Sequence, residues 1–258
     1  MADDVPINAE VVVATREDLT CIFSWLKREY DEDGGSGFWC NQSVISDALC
    51  KPGNLWVIRR NGEAVAFQVG EYSAAILSVR KEDRKRGLGR SLVEASIERA
   101  LVANVNVLSG QCAPETSLPF WKRMGFEEYD DPHQPSDLMV RRVLPRTFNL
   151  PADLPAVRVV IGFYPEAAQY DLGKNIPPII EHPVAAARDH DGSVMLARRV
   201  LGFFDDEPDG RDLLVRIEVN GLTVCFCKAK YREAQSVGVQ QDDIGGVFFV
   251  DRVVPKEI

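Results

Sequence analysis

The six residues Arg84 to Gly89, with the sequence RKRGLG, combine positive charge and glycine in a pattern that could bind a phosphate group. They follow an apolar run, AAILSV, and precede a segment whose apolar residues recur at helical spacing. The first N–H groups of a helix are unpaired and favour an anion. Gly87 and Gly89 lack a Cβ atom, which lets the backbone approach a pyrophosphate. The sequence therefore predicts a local anion site.

This basic bend lies in a chain that is acidic overall. The 258 residues include 30 Lys plus Arg and 39 Asp plus Glu, a formal net charge of −9. Such a chain repels polyphosphate backbones, so we expect no general nucleic-acid binding. The alternative interpretation of the bend is a solvated cationic surface. If the bend is taken from Arg80 to Gly89, it has five cations before the glycines, Arg80, Lys81, Arg84, Lys85 and Arg86.

The elements that position the bend alternate between strand and helix from Glu10 to about Val143. The run VVVA is followed by an amphipathic helix with Thr15 as its N-cap, and Asn61-Gly62 joins two β-rich runs as a type I′ hairpin. The predicted order is β-α-α-β-β-β-α-β-α-β. This order indicates an α/β fold, a mixed central sheet with helices on both faces.

A change of character follows the proline-containing stretch LPRTFNLPADLPA. Five apolar or alternating runs occur beyond it, and Asn220-Gly221 joins two of them as a second hairpin. We predict two domains, residues 1–145 and a smaller β-rich domain, residues 150–258, with a barrel or sandwich architecture.

The bend resembles a family motif once its surroundings are included. RKRGLG matches the acyl-CoA signature (Q/R)-x-x-G-x-(G/A) of the Gcn5-related N-acetyltransferase (GNAT) family, and FWKRMGF, Phe120 to Phe126, resembles the F-Y-x-x-x-G-F element of that family. The resemblance covers about residues 10–143. It implies a GNAT-like fold, acetyl-CoA as acyl donor, and an amine acceptor that attacks the thioester directly. The implied cofactor-binding residues are Leu77, Val79, Arg84, Lys85, Arg86, Gly87, Leu88, Gly89, Arg90 and Trp121.

The resemblance also implies a V-shaped slot between two parallel strands, Ile76 to Val79 and Val105 to Ser109. Pantetheine would pair there with backbone groups of Leu77 and Val79. A backbone N–H at the end of the first strand would polarise the thioester carbonyl, as an oxyanion hole does.

The catalytic residues depart from the family pattern. Trp121 stands where many members have a tyrosine that protonates the leaving thiolate, and an indole N–H only donates a hydrogen bond. Ser117 is our candidate for the acid, with Cys112, Tyr129 or solvent as alternatives. Glu71 is the candidate base, because it stands two residues before Ser73, the position of a glutamate in some members. A solvated strand-edge carboxylate is the alternative for Glu71.

The segment DEDGGSGFWCN corresponds to the wall of the acceptor pocket in that family. Asp31, Glu32 and Trp39 are candidate substrate-binding residues, because carboxylates beside an aromatic ring suit a cationic amine. An acidic surface loop anchored by its aromatics is the alternative. Two other functions stay open: an inactive acyl-CoA sensor, and a toxin-like acetyltransferase whose acceptor is a macromolecule.

The remaining features of the sequence concern metal binding, the cellular compartment and membrane insertion. Six scattered cysteines suggest reduced thiols in the cytoplasm, and three isolated histidines suggest no metal site. The acidic start, MADDVPINAE, does not resemble an export signal, and we expect no membrane span. The oligomeric state is left open, with a homodimer as one option.

Overall fold

The computed structural model of the chain describes residues 9–130, 134, 136–170, 176–202, 213–242 and 247–254. The chain forms two compact units. The first contains the residues up to Ala103 together with Leu108–Tyr129 and Asp137–Arg142. The second contains Asn104–Val107 and the chain from Val143 onward.

The α-helices of the described residues are α1 (Arg16–Glu32), α2 (Gln42–Leu49), α3 (Leu88–Val102), α4 (Leu118–Arg123) and α5 (Arg232–Ser236). No helix in the described ranges is long and apolar enough to cross a membrane. The first seven strands are β1 (Val11–Val13), β2 (Leu55–Arg60), β3 (Glu63–Val69), β4 (Ile76–Val79), β5 (Val107–Gln111), β6 (Glu127–Tyr129) and β7 (Met139–Val143). The remaining seven are β8 (Ala156–Tyr164), β9 (Ile180–Arg188), β10 (Val194–Gly202), β11 (Leu214–Val219), β12 (Leu222–Lys228), β13 (Val239–Gln241) and β14 (Phe248–Val253).

The first unit contains a four-stranded antiparallel sheet in the order β1-β2-β3-β4 with helices on both faces. Helices α1 and α2 bury Trp25 and Ile45 against one face, together with Phe67 of β3. Helix α3 buries Leu88 and Leu92 against the other face. A separate three-stranded sheet has the order β5-β7-β6. The α/β fold class is confirmed, and β6 is a short strand that the sequence analysis did not predict.

Two local predictions in this unit are confirmed. The side chain of Thr15 accepts a hydrogen bond from the backbone N–H of Asp18, whose carboxylate accepts one from the N–H of Thr15, and this capping box starts α1. Asn61 and Gly62 have φ angles of 51° and 83°, as a type I′ turn between β2 and β3 requires.

The second unit is built around a seven-stranded antiparallel sheet in the order β12-β11-β8-β9-β10-β14-β13. Its core consists of side chains such as Val159, Ile161, Phe163 and Phe248, which are 0–2% exposed. The predicted β-rich character is confirmed, and the Asn220 turn joins β11 to β12. Strand β9 was not predicted, because its sequence IEHPVAAAR contains a proline and three alanines, which are rare in strands.

A buried arginine ties a short piece of earlier sequence into the second unit. The guanidinium of Arg199 donates to the side-chain oxygens of Asn104, Asn106 and Asp251, each at 2.8 Å. Because a buried arginine needs partners for its donors, these contacts hold Asn104–Val107 in the second unit. A single boundary in the sequence cannot place Asn104–Val107 in the second unit, because residues of the first unit follow them in the chain.

Candidate active site

A wedge separates β4 from β5, which belong to two different sheets of the first unit. The wedge is closed where the backbone N–H of Ser109 donates to the hydroxyl of Ser73 at 3.1 Å. The next residue of each segment, Gly110 and Ala74, is also close to its neighbour. A Cβ atom on Gly110 would lie 3.1 Å from the carbonyl oxygen of Ala74. The strands diverge beyond these contacts and leave one edge of β4 accessible.

The accessible edge of β4 presents backbone groups of Leu77 and Val79. The N–H of Arg80 donates to the carbonyl of Val65 in β3, and Ser78 stands opposite Phe67 in the same register. In an antiparallel pair the bonding direction alternates along the strand, so the groups of Leu77 and Val79 point away from β3. The side chain of Arg84 donates to the carbonyl of Val79 at 2.9 Å, which agrees with this direction.

A cleft of about 1510 Å³ follows this edge. Residues Ala74 to Val79 line one side of the cleft, and residues between Gln111 and Met124 line the opposite side. Two further parts of its wall come from α1 with the segment that follows it, and from residues of α3 between Leu88 and Glu98. The cleft is large enough for a drug-sized or larger ligand.

The basic bend forms the part of the cleft wall where α3 begins. Gly87, the N-cap residue of α3, has φ +82°, a left-handed conformation that residues with a Cβ atom adopt at a cost. A Cβ atom on Gly89 would lie 3.5 Å from the ring of Phe120 and 3.6 Å from Leu77. The two glycines therefore have different purposes: Gly87 allows the turn, and Gly89 keeps the start of the helix open towards the cleft.

The cations of the bend fall into two groups. Arg80 bonds to Glu63 and Asp83, at 2.9 and 2.8 Å, and Lys81 bonds to Asp33 at 2.6 Å. These two side chains fix the bend to neighbouring elements. In the described chain no ion pair is found for Lys85 or Arg86, which are exposed.

Arg84 and Arg90 border the same start of α3. The side chain of Arg84 is 52% exposed and lies 3.4 Å from the carboxylate of Glu29, while Arg90 pairs with Glu94 at 2.8 Å. Unpaired helix N–H groups and exposed guanidinium groups at one place favour a bound phosphate.

Comparison with known families adds an independent finding to this geometry. Residues 51–128 match the model of the acetyltransferase (GNAT) domain. The match includes the bend, β4, β5 and α4. Over these residues the chain is similar to the GNAT acetyltransferase domain family. The predicted resemblance is confirmed.

Solved structures of acetyltransferases are similar to about half of the chain. A GNAT acetyltransferase from Staphylococcus aureus Mu50 has 15% identity and a TM-score of 0.42, covering 52% of this chain and 98% of that one. PaiA N-acetyltransferase from Thermoplasma acidophilum, in complex with coenzyme A, has 10% identity and a TM-score of 0.43, covering 53% and 99%. Ribosomal-protein-alanine N-acetyltransferase from Brucella melitensis has 18% identity and a TM-score of 0.39, covering 52% and 99%. No curated protein sequence matches the chain.

Ser117 and Trp121 both line the cleft. Trp121 is only 7% exposed, and its ring packs edge-on against Phe120 and Phe126, with centroids 5.2 and 5.0 Å away. The hydroxyl of Ser117 lies 3.3 Å from the sulfur of Cys112. Tyr129 lies in β6, where its ring packs 5.0 Å from the guanidinium of Arg141, and does not line the cleft.

The premise for Glu71 as the base is wrong. Strand β3 ends at Val69, and Gly70, with φ +116°, turns the chain, so Glu71 and Ser73 do not share a strand face. Glu71 is exposed, and its carboxylate accepts a hydrogen bond from Tyr72, which raises the pKa of the tyrosine hydroxyl. Its side chain is not part of the cleft wall formed by the described residues.

The candidate acceptor residues Asp31, Glu32 and Trp39 also lie outside the cleft wall. Asp31 pairs with Lys27 on α1, and Glu32 lies 3.7 Å from Lys81. The ring of Trp39 packs edge-on against Phe23, with centroids 6.0 Å apart. From the same segment, the residues that line the cleft are Asp33, Ser36, Gly37, Phe38 and Asn41.

Glu29 is a cleft residue that the sequence analysis missed. Its carboxylate accepts a hydrogen bond from the backbone N–H of Lys81 at 2.7 Å. Burial raises the pKa of Glu29, and the bond from Lys81 and the charge of Arg84 oppose this only partly. It follows Ile22, Trp25 and Leu26 on the apolar face of α1, where a carboxylate is unusual and would have indicated a special contact.

Asp83 makes the stability of the fold dependent on pH. Burial alone would raise its pKa, but hydrogen bonds from Arg80 and Arg60 outweigh that effect and lower the pKa of Asp83. A carboxylate with a lowered pKa stabilises the fold above its unfolded pKa of about 3.9, and this stabilisation is lost as the pH falls through the folded value.

We therefore expect Asp83→Asn to reduce the free energy of unfolding by about 2 kcal/mol at pH 7. The difference from the wild-type protein should shrink as the pH falls below about 4. Denaturant titrations of both proteins across that range would measure it. A difference that is constant with pH would contradict the ion-pair explanation.

Proposed function

We propose that this protein transfers an acetyl group from acetyl-CoA to an amine acceptor, by direct attack of the neutral amine on the thioester. The observation that carries the proposal is the position of the family match, which includes the anion-binding start of α3 and the accessible edge of β4. We assign this activity to residues 1–145 and assign no role to the β-rich residues 150–258.

Two parts of the cleft bind acetyl-CoA in the proposed reaction. The start of α3 holds the pyrophosphate by its backbone N–H groups and by charge: Gly87, Gly89 and Lys85 line the cleft, and the exposed Arg86 lies beside them without lining it. The backbone groups of Leu77 and Val79 pair with pantetheine as a neighbouring strand would.

The reaction itself needs charge stabilisation and proton transfer. A backbone N–H on the accessible edge of β4 stabilises the oxyanion that forms when the amine attacks. Ser117 lines the cleft and donates a proton to the leaving sulfur. Glu71 receives no role in the proposal, because it lies away from the cleft wall.

The test is release of free coenzyme A thiol from acetyl-CoA in the presence of a panel of primary amines, with binding of acetyl-CoA measured in parallel. Transfer to any amine, proved by the mass of the acetylated product, supports the proposal. The buried Trp121 at the tyrosine position favours one alternative, an inactive acyl-CoA sensor. Micromolar binding without transfer to any small amine or to protein and RNA amines of a cell lysate would favour the sensor.

A further inference from the structure

A buried thiol lies directly behind the cleft wall next to the proposed acid. Cys112 is 2% exposed, and its sulfur lies 3.3 Å from the hydroxyl oxygen of Ser117. The carbonyl oxygens of Pro114 and Glu115 lie farther from this sulfur, at 3.9 and 4.0 Å. The contact with Ser117 is therefore the closest polar contact of the thiol.

Backbone hydrogen bonds hold both Cys112 and Ser117 in position. The N–H of Cys112 donates to the carbonyl of Leu138 at 2.7 Å, and the N–H of Ser117 donates to the carbonyl of Pro114 at 2.8 Å. Because these bonds fix the two ends of the segment, the thiol and the hydroxyl stay within hydrogen-bond reach. The pair thus has the fixed geometry that proton transfer requires.

The position of the pair in the wedge corresponds to the thioester end of the ligand. The wedge closes at Ser109, and Cys112 follows only three residues later in the chain. The anion-binding start of α3 forms a different part of the wall. A ligand whose pyrophosphate lies at α3 and whose pantetheine follows β4 would bring its sulfur towards Ser117.

We propose that Cys112 is a positioning residue for Ser117 and supplies the proton that the serine hydroxyl passes to coenzyme A. This inference rests on the proposed acetyl transfer. A serine hydroxyl alone is a weak acid for this step, whereas the Cys112 side chain is a thiol, the same kind of group as the leaving coenzyme A thiol. Proton transfer is most efficient between groups of similar proton affinity.

The step balances in atoms and charge. As the amine nitrogen forms its bond to the acetyl carbon, the carbon–sulfur bond breaks and its electron pair stays on the coenzyme A sulfur. That sulfur takes the proton of Ser117, and Ser117 takes the proton of Cys112. The proton lost by the amine passes to water in the cleft. After coenzyme A leaves, water returns a proton through Ser117 to the Cys112 thiolate, so no oxidant or further reactant is needed.

The experiment compares wild-type protein with Cys112→Ala, Cys112→Ser and Ser117→Ala in two measurements. The first is binding of free coenzyme A at a fixed pH, with the thiolate fraction of the bound ligand read from its ultraviolet absorbance. The second is transfer to the best amine, with kcat and KM separated and rates measured in mixtures of light and heavy water. Circular dichroism checks that each variant is folded.

We expect Ser117→Ala and Cys112→Ala to lower the thiolate fraction of bound coenzyme A, because a donor to the sulfur is lost or weakened. Both should lower kcat at least tenfold with little change in KM for acetyl-CoA. Cys112→Ser should recover part of this loss, because its hydroxyl can still form the hydrogen bond that orients Ser117. The dependence of the wild-type rate on the heavy-water fraction should be curved, as two transferred protons require, and that of Cys112→Ala linear.

Two outcomes would overturn the inference. If wild-type protein transfers acetyl groups but Cys112→Ala keeps its kcat and its thiolate fraction, the thiol has no part in the step. If Cys112→Ala and Cys112→Ser lose activity equally while the thiolate fraction is unchanged, Cys112 is only a packing residue. Failure of the proposed function gives a different result, the absence of transfer in the wild-type protein itself.

Discussion

Gly89→Glu should weaken acetyl-CoA binding at least about 100-fold, which corresponds to about 2.8 kcal/mol of binding free energy. A Cβ atom at this position faces Phe120 and Leu77, at ordinary contact distances of 3.5 and 3.6 Å. The helix therefore tolerates a side chain, but the side chain extends into the cleft. Its carboxylate would occupy the start of α3, where the helix N-terminus and Arg90 favour a phosphate, and would repel that phosphate.

Val102→Glu is the matched control for this variant. Val102 is the last residue of α3 and is 89% exposed, so the substitution adds the same charge to the same helix away from the cleft. Isothermal titration calorimetry should give this control a wild-type Kd, and both variants should show the circular dichroism of the wild-type protein. Unchanged acetyl-CoA affinity in a folded Gly89→Glu protein would remove the basis for placing the pyrophosphate at α3.

Features with a local physical cause could be predicted from the sequence. Asn61 and Gly62 form their turn because both need positive φ, and the RKRGLG bend starts a helix because Gly87 supplies a left-handed N-cap. Glu71 could not be placed in this way. The end of β3 depends on a tight turn in which a Cβ atom on Gly70 would lie 1.9 Å from the carbonyl oxygen of Ser73. In the run EAVAFQVGEYS, Gly70 is the one local signal, and an isolated glycine in a strand pattern is equally typical of a bulge within a continuing strand.

The ion-pair partners of the cations in the bend could not be predicted from the sequence either, because they are long-range contacts. Five cations in one short segment suggested a single anion-binding cluster, but Arg80 and Lys81 are held by Glu63 and Asp33, which are distant in sequence. Pairings between residues four apart on one helix could have been predicted, and Arg90 with Glu94 is one of them. Lys27 and Asp31 stand four residues apart on a helix, a spacing that favours an ion pair and makes Asp31 a poor candidate for binding an acceptor.

The double substitution of Lys85 and Arg86 by glutamine should weaken acetyl-CoA binding about 30-fold. The two side chains are exposed, and each contact with a phosphate in water contributes about 1 kcal/mol. The loss should be largest at low ionic strength and should decrease as salt screens the charges of the wild-type protein. Calorimetric titrations with acetyl-CoA at several salt concentrations would measure both effects.

Two comparisons separate this local effect from a general loss of positive charge. Lys51→Gln combined with Lys230→Gln removes the same charge from exposed positions outside the cleft wall, and should leave the Kd for acetyl-CoA unchanged. Acetyl-pantetheine, which has no phosphates, should bind the wild-type protein and the Lys85/Arg86 variant equally. An equal loss for both ligands would mean that the two cations shape the cleft rather than bind phosphate. Equal affinities for acetyl-CoA in both double variants would mean that the backbone of α3, with Arg84 and Arg90, is sufficient to hold the pyrophosphate.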